Sequence, residues 1–475
     1  MPSVRSITIN HLTSVLLITL FPFALLALCY NYILITLSVQ RKLWQRHNKQ
    51  LPSRTVLISG ISTVQGLQTA RALHNAGHKV IGVDLKRRRF NIAKTSRAVN
   101  KYYPHLPEST ALDYDYWIRY LSRIIHREQA ELWIDHEADV ATSTVAQIRQ
   151  RVTETTKCAC IAPDAENVRK IAIKTSFLEF LHDSGLPAPE SYRVKSRGEI
   201  HNILNRTQGK KHYALRAGDD AMDTDLGTIL PRRTVSQTYN EVATVKIASD
   251  TQMVMEEYLD TSITYTCNGI VVRGALKDFW ASRTSRDNGM AKQIPLALAQ
   301  AFENFLQAIA HALGPSFSSH LSVSFCLIEQ VTVSGVVQRI SPLRGSLQLD
   351  HRVIRALTPV SARNLVSAYL SALDQPQNGC SPSPVDASRS MKREELYLPA
   401  RQVYFFTDML RDLVVKPSAQ LIRSPRSARA VLQQYVRFAQ SLLLNQDAYY
   451  YFLDPAPAFW QYLVVEPAET LFGVR

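Results

Sequence analysis

The longest apolar stretch of the chain lies close to its N-terminus. Residues 6–40 contain no Asp, Glu, Lys or Arg, and residues 12–39 are almost wholly apolar. A helix needs about 20 such residues to cross the hydrocarbon core of a bilayer. The segment that follows, from Arg41 to Arg54, is basic, and positive flanks favour the cytosolic side of a membrane. We therefore predict a single-pass membrane anchor with its basic flank over residues 1–50 and a body facing the cytosol. A cleaved signal peptide or a transit peptide is the alternative.

Beyond the anchor, short apolar runs alternate with stretches of helical spacing. Residues 55–59 and 79–83 are predicted strands on either side of a glycine turn and a helix that Gly77 ends. A helix over about 114–127, a strand at 131–135 and the end of another strand at 161–163 continue the alternation. This order predicts parallel βαβ units, and hence a Rossmann-like layer over residues 51–165.

The rest of the chain is mixed. We predict a helix over 164–184, strands from 213 to 341 that a helix over 296–313 interrupts, and a helix near 363–372. Among these strands, 263–268 and 270–277 are predicted to be separate elements. Residues 374–389 are rich in Pro, Ser, Asn and Gly, which predicts a flexible loop, and residues 397–472 read as helical. The fold class is therefore α/β, with α+β character in a middle domain over 166–355 and a helical C-terminal region over 356–475.

Charge and cysteine content exclude some classes of function. The net charge of +15 is spread along the chain, without the basic, aromatic-interleaved stripe of a nucleic-acid surface, so no nucleic-acid partner is predicted. A basic surface beside anionic lipid is the simpler interpretation. Cys158 and Cys160 have no second His/Cys pair nearby, which argues against a zinc site. The sequence leaves the oligomeric state open.

The glycine turn from Gly60 to Gly66 raises the hypothesis of an NAD(P)-dependent enzyme. It lacks the middle glycine of the dinucleotide fingerprint, although Asp84, at the end of the second strand, could bind a ribose hydroxyl. His136 and Glu137 follow the strand at 131–135, at the edge where α/β sheets bind ligands. A capping or solvated role for this pair is the alternative.

An ordered set of segments resembles the ATP-grasp superfamily, and most of all the fungal, carbamoyl-phosphate-synthase-like ATP-grasp proteins of secondary metabolism. The resemblance covers roughly residues 54–470. It implies a Rossmann-like pre-ATP-grasp layer, a two-lobed ATP-grasp domain and a helical C-terminal region. The segments that carry it are Lys174-Thr-Ser-Phe177, Gly185-Leu-Pro-Ala-Pro-Glu-Ser191, Tyr213-Ala-Leu-Arg216, Val254-Met-Glu-Glu-Tyr-Leu259, His320-Leu-Ser-Val-Ser-Phe325 and Arg339-Ile-Ser-Pro342.

The resemblance implies an ATP site. Lys174 matches the first phosphate-side lysine, and Arg216 stands where the second lysine usually is. An exposed helix lysine is the alternative for Lys174. The implied adenine hinge, which works through its backbone, could equally be an ordinary buried strand; its residues are Glu256, Glu257, Tyr258 and Leu259.

The implied metal positions depart from the family pattern. Ser324 and Ser341 stand in place of an acid and an amide, and Arg339 replaces the bridging Glu. Serine is a poor ligand and arginine repels a cation, so the usual Mg²⁺ site is in doubt. Nearby Asp350 or Glu329 could compensate, or Arg339 could neutralise phosphate directly. Arg344, one place beyond the family's usual arginine, joins Arg339 as a catalytic candidate.

Three functional hypotheses follow. The first is a ligase that uses ATP to activate a small carboxylate as an acyl phosphate and transfers it to an amine in a biosynthetic pathway. The second is a catalytically degenerate homologue that acts as a membrane-tethered binding or scaffold protein. The third is the NAD(P)-dependent oxidoreductase. The anchor fits either of the first two, because a tether raises the local concentration of a partner at the membrane.

Overall fold

A computed structural model describes most of the chain after residue 51 and only a few isolated helical positions before it. The described chain divides into two compact units, called here the first and second unit. The first comprises Met1–Ala162, Asp287–Leu296 and Asp350–Arg475, and the second comprises Pro163–Arg286 and Ala297–Leu349. The described ranges are 52–85, 91–104, 114–138, 140–207, 211–217, 227–245, 253–259, 263–285, 294–332, 335–350, 353–374, 403–423, 428–444 and 446–472.

A five-stranded parallel sheet with the order β3-β2-β1-β4-β5 forms the core of the first unit. Its strands are apolar on both faces, as expected for a parallel sheet covered by helices, and the Trp133, Leu57 and Ile81 side chains are fully buried. The elements are β1 (Thr55–Ser59), α1 (Val64–Asn75), β2 (Lys79–Val83), β3 (Lys101–Tyr103), α2 (Tyr114–Glu128), β4 (Leu132–Asp135), α3 (Thr142–Thr155) and β5 (Ala159–Ile161).

The C-terminal part of the first unit is helical, with one short pair of parallel strands. Two π-helical segments, Arg411–Val415 and Gln461–Val465, each join two of its helices end to end. The elements are α9 (Pro359–Leu370), β14 (Val403–Tyr404), α10 (Phe406–Leu410), α11 (Lys416–Arg423), α12 (Ala428–Leu444), β15 (Gln446–Asp447), α13 (Ala456–Trp460) and α14 (Glu466–Phe472).

A buried aspartate joins this helical part to the parallel sheet. The Asp454 carboxylate accepts hydrogen bonds from Arg71 Nε at 2.9 Å, Ser96 Oγ at 2.6 Å and the Arg97 N–H at 2.9 Å. Its backbone carbonyl accepts a further bond from Arg71 Nη2 at 2.7 Å. Asp454 lies in a turn shortly before α13, and its ion pair with Arg71 is buried.

The second unit begins with two helices and a four-stranded antiparallel sheet of order β6-β9-β7-β8. Helices α6 and α7 supply apolar side chains, among them Ile200 and Val242, to the core beneath this sheet. The elements are α4 (Ala165–Ile171), α5 (Lys174–Asp183), β6 (Ser191–Val194), α6 (Arg197–Arg206), β7 (Tyr213–Ala217), β8 (Thr228–Leu230), α7 (Val235–Thr244) and β9 (Met253–Glu257).

A second antiparallel sheet, of order β11-β10-β12-β13, completes this unit. Aromatic residues of α8 cover one face of it, where Phe302 stacks on Phe325 with a 4.8 Å separation of ring centroids. The elements are β10 (Ile263–Val272), β11 (Ala275–Ser285), α8 (Leu296–Leu313), β12 (Ser319–Thr332) and β13 (Gly335–Ser346).

Two predicted boundaries were wrong. Strand β10 runs through Gly269. A glycine is needed at this position because a larger residue would clash with the Leu276 and Leu306 side chains. The chain turns instead at Arg273-Gly274, whose φ angles of 51° and 71° suit a two-residue hairpin. The predicted single helix over 164–184 is two helices, because Ile173 has an extended backbone with φ −100° and ψ 131°.

The predicted membrane span lies almost wholly outside the described residues, as does the predicted loop at 374–389. Within the part of the chain that the structure describes, no helix is both long and apolar enough to cross a membrane. The anchor stays a prediction.

Candidate functional site

Two of the predicted phosphate-binding cations meet at one carboxylate in the second unit. Lys174 Nζ lies 2.6 Å from Glu256 Oε2, and Arg216 Nη1 lies 3.9 Å from the same oxygen. All three side chains are largely buried. The Nε of Arg216 is also buried and has no hydrogen-bond partner among the residues that the structure describes. The cluster therefore holds one more positive charge than negative, together with an unused donor.

Local structure brings these residues together. Strand β9 pairs with β7 in antiparallel register, with Ala214 opposite Glu256 and Arg216 opposite Val254. Arg216 and Glu256 are thus diagonal neighbours on one face of the sheet, within reach of long side chains. Lys174 is the first residue of α5, directly after the extended Ile173 that ends the preceding segment.

The predicted hinge is only partly available to a ligand. The N–H of Glu257 donates to the Glu190 carbonyl at 2.8 Å, and the N–H of Tyr258 donates to the His212 carbonyl at 2.7 Å. The Glu257 carboxylate lies 3.2 Å from Lys211 Nζ. Of the four predicted hinge residues, Glu256, which lies within strand β9, and Leu259, which follows it, have backbone N–H groups that neither of these two bonds uses. Whether the hinge binds adenine stays a prediction.

A second ionic cluster, formed around Glu190, adjoins the predicted hinge. The sequence does not predict this cluster. Glu190 accepts hydrogen bonds from Lys211 Nζ at 2.8 Å, Tyr213 OH at 2.5 Å and Tyr192 OH at 3.2 Å. Burial on its own would raise the pKa of Glu190, but the bonds from Lys211 and Tyr213 hold it below its usual value. Glu190 therefore stays ionised and fixes the neighbouring strands.

The predicted metal positions lie on the second sheet, on the face opposite α8. Strand alternation places Ser324 on this face, directly opposite Arg344 of β13. Beyond an irregularity at Phe325, Ser341 and Arg339 follow on the same face, opposite Cys326 and Ile328. Ser324 Oγ lies 3.4 Å from Thr266 Oγ1, Ser341 is buried, and Arg339 and Arg344 are exposed.

Compensation for the missing metal ligands by Asp350 or Glu329 stays a prediction. Asp350 belongs to the first unit, where its backbone carbonyl accepts a bond from Gln65 Nε2 at 3.0 Å. Glu329 pairs with Gln338 in the strand register, and its side chain lies outside the described atoms. Across the described ranges there is no group of three or more His, Cys, Asp or Glu residues that could hold a metal ion.

The glycine turn of the first unit is occupied by the chain's own carboxylates. Glu137 Oε1 accepts the N–H of Gly60 at 2.9 Å and that of Leu85 at 2.5 Å. Asp84 accepts the Ser62 N–H at 3.1 Å and the Ser62 hydroxyl at 2.6 Å. Negative charge thus stands where a dinucleotide would place its pyrophosphate, which favours the capping interpretation of Glu137.

The glycines themselves are explained by close backbone approach. A Cβ on Gly60 would lie 2.4 Å from the carbonyl carbon of His136, and one on Gly66 would lie 2.4 Å from the Gly60 oxygen. The turn therefore needs its glycines for packing, without reference to any ligand.

Beside the turn, burial raises the pKa of Asp135 to about 7, against a weaker opposing effect of the hydrogen bond from Ser59.

The order of sheets in the chain is the one that the sequence resemblance implies. A parallel α/β layer comes first, two antiparallel sheets with flanking helices form the middle, and helices dominate the end. The order of layers in the described part of the chain therefore agrees with the predicted ATP-grasp type of fold. The closer likeness to fungal proteins of secondary metabolism stays a prediction.

Remote structural likenesses accompany this fold. N5-carboxyaminoimidazole synthetase from Staphylococcus aureus complexed with ADP aligns with 63% of this chain and 72% of its own, at 10% identity and a TM-score of 0.43. The biotin carboxylase subunit of pyruvate carboxylase aligns over 69% and 71%, at 11% identity and a TM-score of 0.47. L-amino acid ligase from Bacillus licheniformis aligns over 63% and 68%, at 10% identity and a TM-score of 0.40. No protein-family model and no curated protein sequence matches the chain.

Proposed function

We propose that the second unit binds the phosphates of ATP and that the chain is an ATP-grasp-type, ligase-like protein. The observation that carries the proposal is the shared carboxylate, at which Lys174 and Arg216 meet Glu256. One negative charge for two cations leaves a site that an anion would complete.

The burial of the Arg216 side chain also supports the proposal. A buried donor without a partner costs about 1–3 kcal/mol, and Arg216 Nε is such a donor. A phosphate oxygen could satisfy it while a guanidinium N–H makes a second, parallel bond. Lys174 adds to the attraction because it begins α5, where the helix end carries partial positive charge.

The ligase activity would follow from the same charges. Transfer of the γ-phosphoryl group to a carboxylate brings two anions together, and cations must neutralise them. ADP is the product of that transfer, and an amine would then attack the acyl carbon, lose a proton and displace inorganic phosphate to form an amide. A biosynthetic role for this reaction belongs to the proposal, with a small carboxylate and an amine as substrates.

A second candidate is a catalytically degenerate homologue. The observation that favours it is the absence of carboxylates at Ser324, Ser341 and Arg339, where the ATP-grasp resemblance implies metal ligands. Such a protein would act as a binding or scaffold partner. In either case we propose that residues 12–39 anchor it in a membrane, with the body in the cytosol.

The proposal is tested by binding measurements on the full chain in detergent. We expect an ATP analogue to bind and NADPH not to bind, and Lys174→Met or Arg216→Met to weaken analogue binding at least about tenfold. Lys170→Met is the matched control, because Lys170 forms only an exposed ion pair with Glu166 one turn earlier. Binding of NADPH instead of the analogue would overturn the proposal.

Turnover separates the two candidates. Phosphate release from ATP that depends on both an added carboxylate and an added amine supports the ligase. Tight analogue binding without release across a broad panel of both supports the scaffold protein.

A further inference from the structure

Two cysteines lie close together at the edge of the parallel sheet in the first unit. Strand β5 is the last strand of that sheet and pairs with β4, with Cys160 opposite Trp133. Cys158 directly precedes β5, and alternate residues along a strand point to the same face. Both side chains pack against the core that α2 and α3 share with the sheet. Both are free thiols, so this thiol pair is available for chemistry.

The contacts of the two sulfur atoms bring the thiols together. Cys160 Sγ points back along the chain to within 3.4 Å of the Cys158 carbonyl oxygen, and the two thiols are hydrogen-bonded to each other. Thr153 Oγ1 of α3 lies 3.9 Å from Cys160 Sγ. Cys158 is buried, whereas Cys160 is half-buried. The pair therefore has an inner member, Cys158, and an outer member that solvent can reach.

The same contacts make the outer thiol the more acidic one. The hydrogen bond from Cys158 lowers the pKa of the Cys160 thiol, and the positive charge of Arg149 adds to this effect against burial. That hydrogen bond, together with burial, raises the pKa of Cys158. The thiolate is the nucleophilic form of cysteine. Cys160 is thus the nucleophile of the pair, and Cys158 holds the proton beside it.

We propose that Cys158 and Cys160 form an oxidisable dithiol, which a hydroperoxide converts into a disulfide. The Cys160 thiolate attacks one peroxide oxygen and becomes a sulfenic acid, while the other oxygen takes up a proton and leaves as water or an alcohol. The Cys158 sulfur then attacks the Cys160 sulfur, and its proton leaves with the hydroxide as water. The two thiols lose two electrons in total, and the hydroperoxide accepts them.

The position of the pair predicts that this disulfide is reversible. Residues two apart in a strand have Cα atoms about 6.6 Å apart, close to the upper limit that a disulfide can bridge. Strand β5 is three residues long and lies at the sheet edge, so it can shorten at the cost of its pairing with β4. Strained disulfides are the more easily reduced ones. Oxidation should therefore loosen this edge, and reduction should restore it.

The test treats the full chain in detergent with hydrogen peroxide, blocks the remaining thiols with iodoacetamide and measures peptides by mass spectrometry. The tryptic peptide 158–169 contains both cysteines. We expect this peptide to lose two hydrogen atoms at least about tenfold faster than Cys267 is oxidised, because burial raises the pKa of the Cys267 thiol. Dithiothreitol should restore the peptide, and hydrogen exchange in β5 should be faster in the oxidised chain than in the reduced one.

Single substitutions assign the two roles. In Cys158→Ser, Cys160 should still react but proceed to sulfinic acid, which dithiothreitol does not reverse. In Cys160→Ser, Cys158 should stay reduced over the same period, and the control Cys267→Ser should leave oxidation of the pair unchanged. Variants are compared only where hydrogen exchange in β1 and β4 matches that of the unmodified chain.

Three outcomes would overturn the inference. Oxidation of Cys267 as fast as the pair would show that Cys160 has no special reactivity. Sulfinic acid at Cys160 in the unmodified chain, or a disulfide that joins two chains, would show that Cys158 is not its partner.

Discussion

Arg71 in the first unit and Arg216 in the second are both buried arginines, and they differ in how completely they are paired. Arg71 donates through Nε and Nη2 to the carboxylate and the carbonyl of Asp454, at 2.9 and 2.7 Å. Arg216 lies 3.9 Å from a carboxylate that it shares with Lys174, and its Nε has no partner within the described ranges. An arginine whose donors are paired stabilises the fold, whereas an arginine with an unpaired donor is available to a ligand.

The acidic side chains show the same contrast. In the first unit, Asp84 and Glu137 occupy the glycine turn and accept its N–H groups. In the second unit, Ser324, Ser341 and Arg339 stand where the resemblance implies an acid, an amide and a bridging Glu. Negative charge has therefore been placed at the site that resembles a dinucleotide pocket, and positive charge at the site that resembles an ATP pocket. The comparison supports the proposal that the second unit binds an anion.

The largest effect should come from breaking the saturated pair. Asp454→Ala leaves Arg71 buried and without its counter-charge, and burial already lowers the pKa of that guanidinium. We expect a loss of about 3–5 kcal/mol in the stability of the first unit, measured by urea unfolding with hydrogen exchange on the α1 peptides. Nucleotide affinity of the folded fraction should not change.

The matched control for this prediction is Asp408→Ala. Asp408 pairs with Arg411 on an exposed helix face of the same unit, and such pairs contribute about 1 kcal/mol or less. Equal effects of the two substitutions would contradict the view that the Asp454 bond holds the two parts of the unit together.

A smaller, pH-dependent effect should come from Asp135. Its pKa rises from 3.8 to about 7 on folding, because burial disfavours the charged carboxylate. Between these values the folded state holds a proton that the unfolded state has lost, so stability falls as pH rises through this window and levels off above it. The loss is at most roughly 1.4 kcal/mol per pH unit.

Asp135→Asn removes this titration while keeping an oxygen for the Ser59 hydroxyl, which lies 2.8 Å from Asp135 Oδ1. We expect the variant to exceed the unmodified chain in stability at pH 8 and to approach it at pH 4, measured by hydrogen exchange on the β4 peptides. Asp183→Asn, at an exposed carboxylate of the second unit, is the control and should leave the profile unchanged. A profile that Asp135→Asn does not flatten would place the proton elsewhere.

Local patterns in the sequence predicted much of the fold. Strands β1 and β2 and helix α8 have the bounds that hydrophobic periodicity indicates. The break before Lys174 and the turn at Arg273-Gly274 were missed, because each depends on a backbone conformation that neighbouring residues do not signal. The reason for Gly269 lies in the side chains of Leu276 and Leu306, which only the folded chain brings near.

The site divides in the same way. Lys174 and Arg216 could be chosen from the sequence by their place in an ordered set of motifs, and the structure brings them to one carboxylate. A capping role for Glu137 was one of the predicted alternatives, but its partners and the ion pair of Asp454 could not be predicted. Glu137 accepts a bond from Gly60, 77 residues away in the chain, and Asp454 pairs with Arg71, 383 residues away. Sequence spacing carries no information about such contacts.

The smallest expected effect tests the comparison most directly, because one substitution should lower stability and raise ligand affinity. Glu256→Gln keeps an oxygen for Lys174 Nζ but removes the negative charge from between the two cations. We expect a loss of about 1 kcal/mol in stability and a gain of roughly fivefold in affinity for the ATP analogue, as an incoming phosphate no longer competes with a resident carboxylate. Glu241→Gln, which breaks an exposed pair with Arg232, should change neither quantity. Weaker analogue binding by Glu256→Gln would mean that this carboxylate orients Lys174 for the ligand, and the second unit would then resemble the first in using its acids to fix its cations.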